Sequence, residues 1–138
     1  MFGSLFKKFS KDMGIDLGTA NTLVFIPEKG IVIDEPTVVA LNQRNDQILA
    51  VGKEAKQMLG KTPPHILVSR PLTNGIISDY EVAEKMIKYM IDRVHEHSLS
   101  FVSRPRVVVC VPLGVTEVEA KAVEDAVLAA GAREVFVV

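Results

Sequence analysis

Gly14-Ile15-Asp16-Leu17-Gly18-Thr19-Ala20-Asn21-Thr22 joins an apolar run to a carboxylate and then to a turn of small, donor-rich residues. Met13, Ile15 and Leu17 alternate along it, and Leu23, Val24, Phe25 and Ile26 follow. The spacing predicts two short strands joined by a tight connection over 18–21. Gly18 and Ala20 leave the backbone open to close approach, while the N–H groups and hydroxyls of Thr19, Asn21 and Thr22 supply donors, a composition suited to phosphate oxygens. Asp16, at the strand end, is placed to hold Mg²⁺ through water. From spacing alone, an ordinary hairpin with Asp16 as a polar edge residue fits equally well.

Beyond this hairpin, 31–34, 37–41 and 48–51 read as further strands, with turn residues over 42–46. A short helical pattern over 52–59 is closed by Gly60 and cannot continue into Pro63-Pro64. Ser78-Asp79-Tyr80-Glu81 predicts a capping box with Ser78 as the cap. The helix it opens carries Val82, Ala83, Met86, Ile87, Met90, Ile91 and Val94 at three- and four-residue steps, a stripe that packs on a sheet. The apolar run 106–111 predicts a central strand buried on both faces, and Cys110 within it a buried, reduced thiol. A second helix is expected over 117–130, ahead of Gly131 and the apolar run 135–138. Strand, helix, strand is the α/β crossover pattern.

Composition narrows the function classes. At 138 residues and 48% hydrophobic, the chain can bury one real core. Its net charge of −1, with no basic stripe interleaved with aromatics, argues against nucleic acid. His65, His95 and His97 have no partner at ligand spacing and read as surface residues. No apolar run is long enough to span a bilayer, and the start has no cleavable signal pattern, so the expected location is cytoplasmic. The start is instead amphipathic. Phe2, Leu5, Phe6 and Phe9 fall on one helical face with Lys7, Lys8 and Lys11 around it, the makeup of an interfacial membrane helix. Docking of that face onto the protein's own core is the competing reading.

The stretch Asp16-Leu17-Gly18-Thr19-Ala20-Asn21-Thr22 resembles the first phosphate loop of the MreB family of bacterial actin-like cell-shape proteins, within the actin, heat-shock chaperone and sugar-kinase ATPase superfamily. Glu35-Pro36-Thr37-Val38-Val39-Ala40, Gly52-Lys53-Glu54-Ala55-Lys56-Gln57-Met58-Leu59-Gly60-Lys61-Thr62-Pro63, Arg70-Pro71-Leu72, Gly75-Ile76-Ile77 and Val111-Pro112-Leu113-Gly114-Val115-Thr116-Glu117-Val118-Glu119 are similar to that family in the same order. The resemblance implies an α/β fold of the actin-like, ribonuclease H-like kind: a mixed sheet flanked by helices, forming part of domain I. Residues 13–30 and 70–138 would then be subdomain IA, 31–69 a small subdomain IB that makes longitudinal filament contacts, and 1–12 a membrane-binding segment.

The same resemblance implies ATP and Mg²⁺ as ligands, with Asp16, Gly18, Thr19, Ala20, Asn21 and Thr22 around the phosphates. It also gives Glu119 a role in orienting the water that attacks the γ-phosphate. Thr116-Glu117-Val118-Glu119 is equally a capping box, with Glu119 at its third helical position. Leu99 and Phe101, within a polar stretch, resemble a membrane-inserting loop of the family. Implied partners are further copies of the subunit, the anionic inner face of the membrane and the cell-wall elongation machinery. Leu113 and Lys121 depart from common family residues without removing a proposed catalytic group.

The match covers the N-terminal part of a family chain and includes no second phosphate loop of the Asp-x-Gly-Gly-Gly-Thr type, so the second domain is expected to be absent. These residues are therefore expected to bind ATP weakly and to hydrolyse it poorly. The expected function is that of a filament subunit directing wall synthesis and rod shape. The alternatives are a small-molecule kinase of the same superfamily and a non-catalytic fragment that binds membrane or caps filaments.

Overall fold

A computed structural model describes residues 12–96 and 104–138. Strands β1 (Met13–Leu17), β2 (Asn21–Ile26) and β3 (Gly30–Pro36) form an antiparallel meander. Strand β4 (Val39–Asn42), strand β5 (Gln47–Val51), the short helix α1 (Lys53–Gln57) and strand β6 (Ile66–Ser69) follow. A two-stranded hairpin, β7 (Leu72–Thr73) and β8 (Ile76–Ile77), leads to helix α2 (Tyr80–His95), and β9 (Arg106–Cys110), α3 (Glu117–Ala129) and β10 (Glu134–Val137) complete the described chain.

The main sheet has the order β10-β9-β1-β2-β3, with β9 parallel to both β1 and β10. It is a mixed α/β sheet, as expected. A second sheet, β5-β4-β6, is antiparallel, with α1 placing Ala55 against Val38, Ala40 and Ala50. β3 is hydrogen-bonded along β2 and belongs to the main sheet, and the smaller sheet begins at Val39. A strand pattern cannot tell which neighbour a strand joins.

Helices α2 and α3 share one hydrophobic core with the main sheet. Val82, Met86, Ile87, Met90 and Ile91 of α2 and Val123, Ala126 and Val127 of α3 cluster with Met13, Ile15, Leu17, Val107 and Val109. The α2 stripe packs as its periodicity predicts. Its cap differs by one residue. Asp79, not Ser78, accepts from the Val82 amide at 3.2 Å, because the Ser78 amide donates to the Pro71 carbonyl and its hydroxyl lies toward the Arg70 carbonyl. The Thr116 capping box of α3 is present as expected.

Both helices pack on the same face of the sheet, and this corrects two expectations. β9 alternates between buried and exposed residues, with Val108 41% exposed and Cys110 exposed, where burial on both faces and a buried thiol were expected. Directly paired residues share a face. Phe136, Val108, Gly14, Phe25 and Ile31 thus form one row across all five strands on the side away from the helices.

Candidate functional site

The site forms where β1 and β9 end side by side. Asp16 pairs with Cys110 across the parallel ladder and with Leu23 across the hairpin, so its carboxylate stands on the sheet face away from the helices, exposed at the strand end. It makes no hydrogen bond or ion pair to any described residue. An exposed carboxylate without a protein partner suits a hydrated cation.

The loop after β1 is tight. A Cβ on Gly18 would collide with the Asn21 carbonyl oxygen, so only glycine closes this turn. Thr19 and Ala20 are exposed in the bend. The Gly75 amide donates to Thr19 Oγ1 at 2.8 Å, which fills an acceptor position of that hydroxyl and leaves its proton for an incoming oxygen. Asn21 is exposed and donates from Nδ2 to Asp34 Oδ1 at 2.9 Å, keeping a second amide proton outside that bond. Asn21, Asp34 and Pro36, with Lys53, Lys56 and Gln57 of the α1 segment, line an open depression of about 500 Å³ beside the loop.

Thr22 does not join these donors. It is fully buried, its side chain lies on the core side of β2, and its hydroxyl is 2.9 Å from that of Thr37. Thr37 donates to the Gly18 carbonyl at 2.6 Å, so the proton between the two hydroxyls belongs to Thr22. The expected phosphate role of the Thr22 side chain is therefore corrected: its donor is committed inside the fold.

Glu119 lies half-buried in the first turn of α3. One carboxylate oxygen accepts from the Thr116 amide at 2.8 Å, and the Glu119 amide donates to Thr116 Oγ1 at 3.2 Å. The other oxygen has no partner among the described residues. Asp16 and the loop that precedes α3 lie at the same end of the sheet, where β1 and β9 terminate side by side. Gly75 links them further, because its Cα side packs on Pro112 while its amide holds Thr19; at φ 75° it also needs a glycine's conformational freedom.

Thr37 and Gly75 were not marked by sequence reasoning. Their partners lie 19 and 56 residues away, beyond any local pattern. The only signal was their position inside stretches quoted for the family resemblance. Phe2, Leu5, Phe6, Phe9, Leu99 and Phe101 lie outside the described residues. Among the described residues no group of three or more His, Cys, Asp and Glu side chains gathers as a metal cluster, and no helix is long and apolar enough to cross a membrane.

The MreB/Mbl protein family model matches residues 10–138. The chain is 51% identical to the cell shape-determining protein MreB of Haemophilus influenzae over 142 aligned positions, covering 97% of this chain and 40% of that protein. It is 45% identical to the cell shape-determining protein Mbl of Bacillus subtilis, covering 93% of this chain and 38% of that protein. Among solved structures, MreB5 of Spiroplasma citri bound to ADP superposes with a TM-score of 0.81 at 32% identity, covering 94% of this chain and 38% of that one. A MamK double helical filament superposes at 0.73 and 18% identity, a likeness of fold alone. The chain spans about 40% of the length of the curated relatives it matches. The fold is that of part of an actin-like domain, and with a match running over almost every residue the chain belongs to the MreB/Mbl family.

Proposed function

We propose that these residues form the phosphate-loop side of an ATP-dependent, actin-like filament subunit that lies on the inner face of the cell membrane and directs cell-wall synthesis and rod shape. The observation that carries this reading is the meeting of the unpartnered Asp16 carboxylate and the oriented Thr19 hydroxyl at the end of the central strand. MreB5 of Spiroplasma citri, solved bound to ADP, supports a nucleotide as the ligand.

In this reading the Gly18–Asn21 backbone and the Thr19 hydroxyl hold phosphate oxygens, and Asp16 holds Mg²⁺ through water. Bound Mg²⁺ neutralises charge on the phosphate oxygens. Glu119 orients the attacking water through the carboxylate oxygen that its cap leaves without a partner, while Thr116 keeps the side chain in place. Phosphoryl transfer needs little more than such positioning. These residues by themselves offer a single phosphate loop, so they bind ATP weakly and turn it over poorly.

Calorimetry of this chain with Mg·ATP tests the reading. A dissociation constant above about 100 µM is expected, weakened at least about fivefold further by Thr19→Val and by Asp16→Asn. Submicromolar binding overturns the weak-binding claim, and binding indifferent to both substitutions overturns the site. The membrane part rests on Phe2, Leu5, Phe6 and Phe9, with Leu99 and Phe101 as a second contact. Co-sedimentation with anionic liposomes should be lost when Phe2, Phe6 and Phe9 are replaced by Asp; retention would sink it.

A further inference from the structure

Thr37 is fully buried, and every polar atom it offers to the phosphate loop is engaged. Its hydroxyl donates to the Gly18 carbonyl at 2.6 Å and accepts from Thr22 Oγ1 at 2.9 Å, and its amide donates to the Ala20 carbonyl at 2.9 Å. Two of these bonds end on the loop itself, one on each side of Thr19. The peptide carbonyls of Gly18 and Ala20 are therefore held inward. With its carbonyls drawn toward the core, the loop turns its amides and the Thr19 hydroxyl outward. On the other flank the Gly75 amide holds Thr19 Oγ1 at 2.8 Å.

Thr37 and Gly75 also share a topological place. Thr37 lies where the chain leaves the main sheet after β3 for the smaller sheet, and Gly75 lies just beyond its return through β6. The loop is thus gripped by both connections to the smaller sheet. We propose that Thr37 is a positioning residue for phosphate binding: it touches no ligand, but it fixes the 18–21 loop in the conformation that presents its donors. This inference rests on the reading of 18–21 as a phosphate loop.

The Gly75 amide serves as a remote reporter, because its acceptor is on the loop while Gly75 has no bond to Thr37. Thr37→Val should speed hydrogen exchange at the Gly75 amide about tenfold, and weaken Mg·ATP binding in an NMR titration about tenfold. Thr37→Ser should hold both within about twofold of the parent chain. Thr22→Val removes the other buried hydroxyl but keeps the bond to Gly18, and should also leave both within about twofold.

If Thr37→Val folds poorly, the double variant Thr22→Val, Thr37→Val leaves no stranded hydroxyl and still deprives Gly18 of its donor; it should behave as Thr37→Val does. Unchanged Gly75 exchange in the Thr37 variants overturns the proposal. So does a Thr22→Val effect as large as that of Thr37→Val, which would make the pair a generic buried contact. Faster Gly75 exchange in Thr37→Val, with no response of the parent chain to about 10 mM Mg·ATP, supports loop positioning and overturns the phosphate reading alone.

Discussion

Glu119 carries two assignments that a substitution can separate. The capping box needs a side chain that accepts at the third helical position, and glutamine does this as glutamate does. Orienting a water for attack needs the carboxylate. Glu119→Gln should therefore keep the urea stability of the chain within about 0.5 kcal/mol. In a longer chain carrying these residues it should slow phosphate release at least about tenfold without loosening ATP. Unchanged release would leave Glu119 as a cap alone. The residue types of this site were legible in the sequence because Asp16, Gly18 and Thr19 are adjacent. Thr22 was misread for the same reason: adjacency in sequence does not show that alternate strand residues face opposite sides, and the buried side is where Thr22 meets Thr37.

At the scale of elements, α2 is held by its stripe and its cap. Met86 is fully buried in the shared core, and Met86→Ala should cost about 2–5 kcal/mol in urea denaturation, whereas Asp79→Ala should cost about 1 kcal/mol through the lost N-cap. A loss below 1 kcal/mol for the methionine would contradict the packing described. Helical faces were legible because their period is distinctive and a single partner surface suffices. The run over β9 was not, because an unbroken series of valines reads alike whether one face or both are covered.

The N-terminal end of the main sheet carries its own electrostatic tie. Arg106 makes a two-point contact with the Asp12 carboxylate, at 3.0 and 2.6 Å. This hydrogen bonding, with the Arg106 and Arg133 charges and against partial burial, holds the Asp12 carboxyl below its usual range. A lowered folded-state value means that the pair stabilises the fold above the unfolded carboxyl pKa of about 4, and that this contribution fades as pH falls through the folded value. Both side chains are nearly half exposed, so the effect is modest and salt-sensitive. The urea midpoints of the parent chain and Asp12→Asn should differ at pH 7 and converge as pH falls below the lowered folded-state value. A gap independent of pH would refute the assignment.

At the scale of the whole molecule, the row Phe136, Val108, Gly14, Phe25 and Ile31 leaves an apolar band on the sheet face away from α2 and α3, with Phe136 52% and Ile31 61% exposed. A band of this kind drives association at high concentration. Sedimentation velocity of this chain should show concentration-dependent self-association that Val108→Lys with Phe136→Lys suppresses; a monomer at every concentration tested would refute it. The α/β class of the fold was readable from the strand, helix, strand alternation over 106–138. The placement of β3 and the bareness of this face were not, since both depend on which surfaces meet and neither leaves a periodic trace.

Gly75 sits between Thr19 and Pro112, in contact with both, and its β7–β8 hairpin leaves no slack for a side chain there. The loop after β1 and the loop after β9 consequently share a wall, and neither can be displaced far without moving the other. Their slow fluctuations should be synchronous, with Thr19 and Val115 giving one common exchange rate in relaxation-dispersion spectra. The proposed nucleotide contacts on the first loop and the proposed water-orienting residue on the helix that the second loop leads into would then keep the same clock.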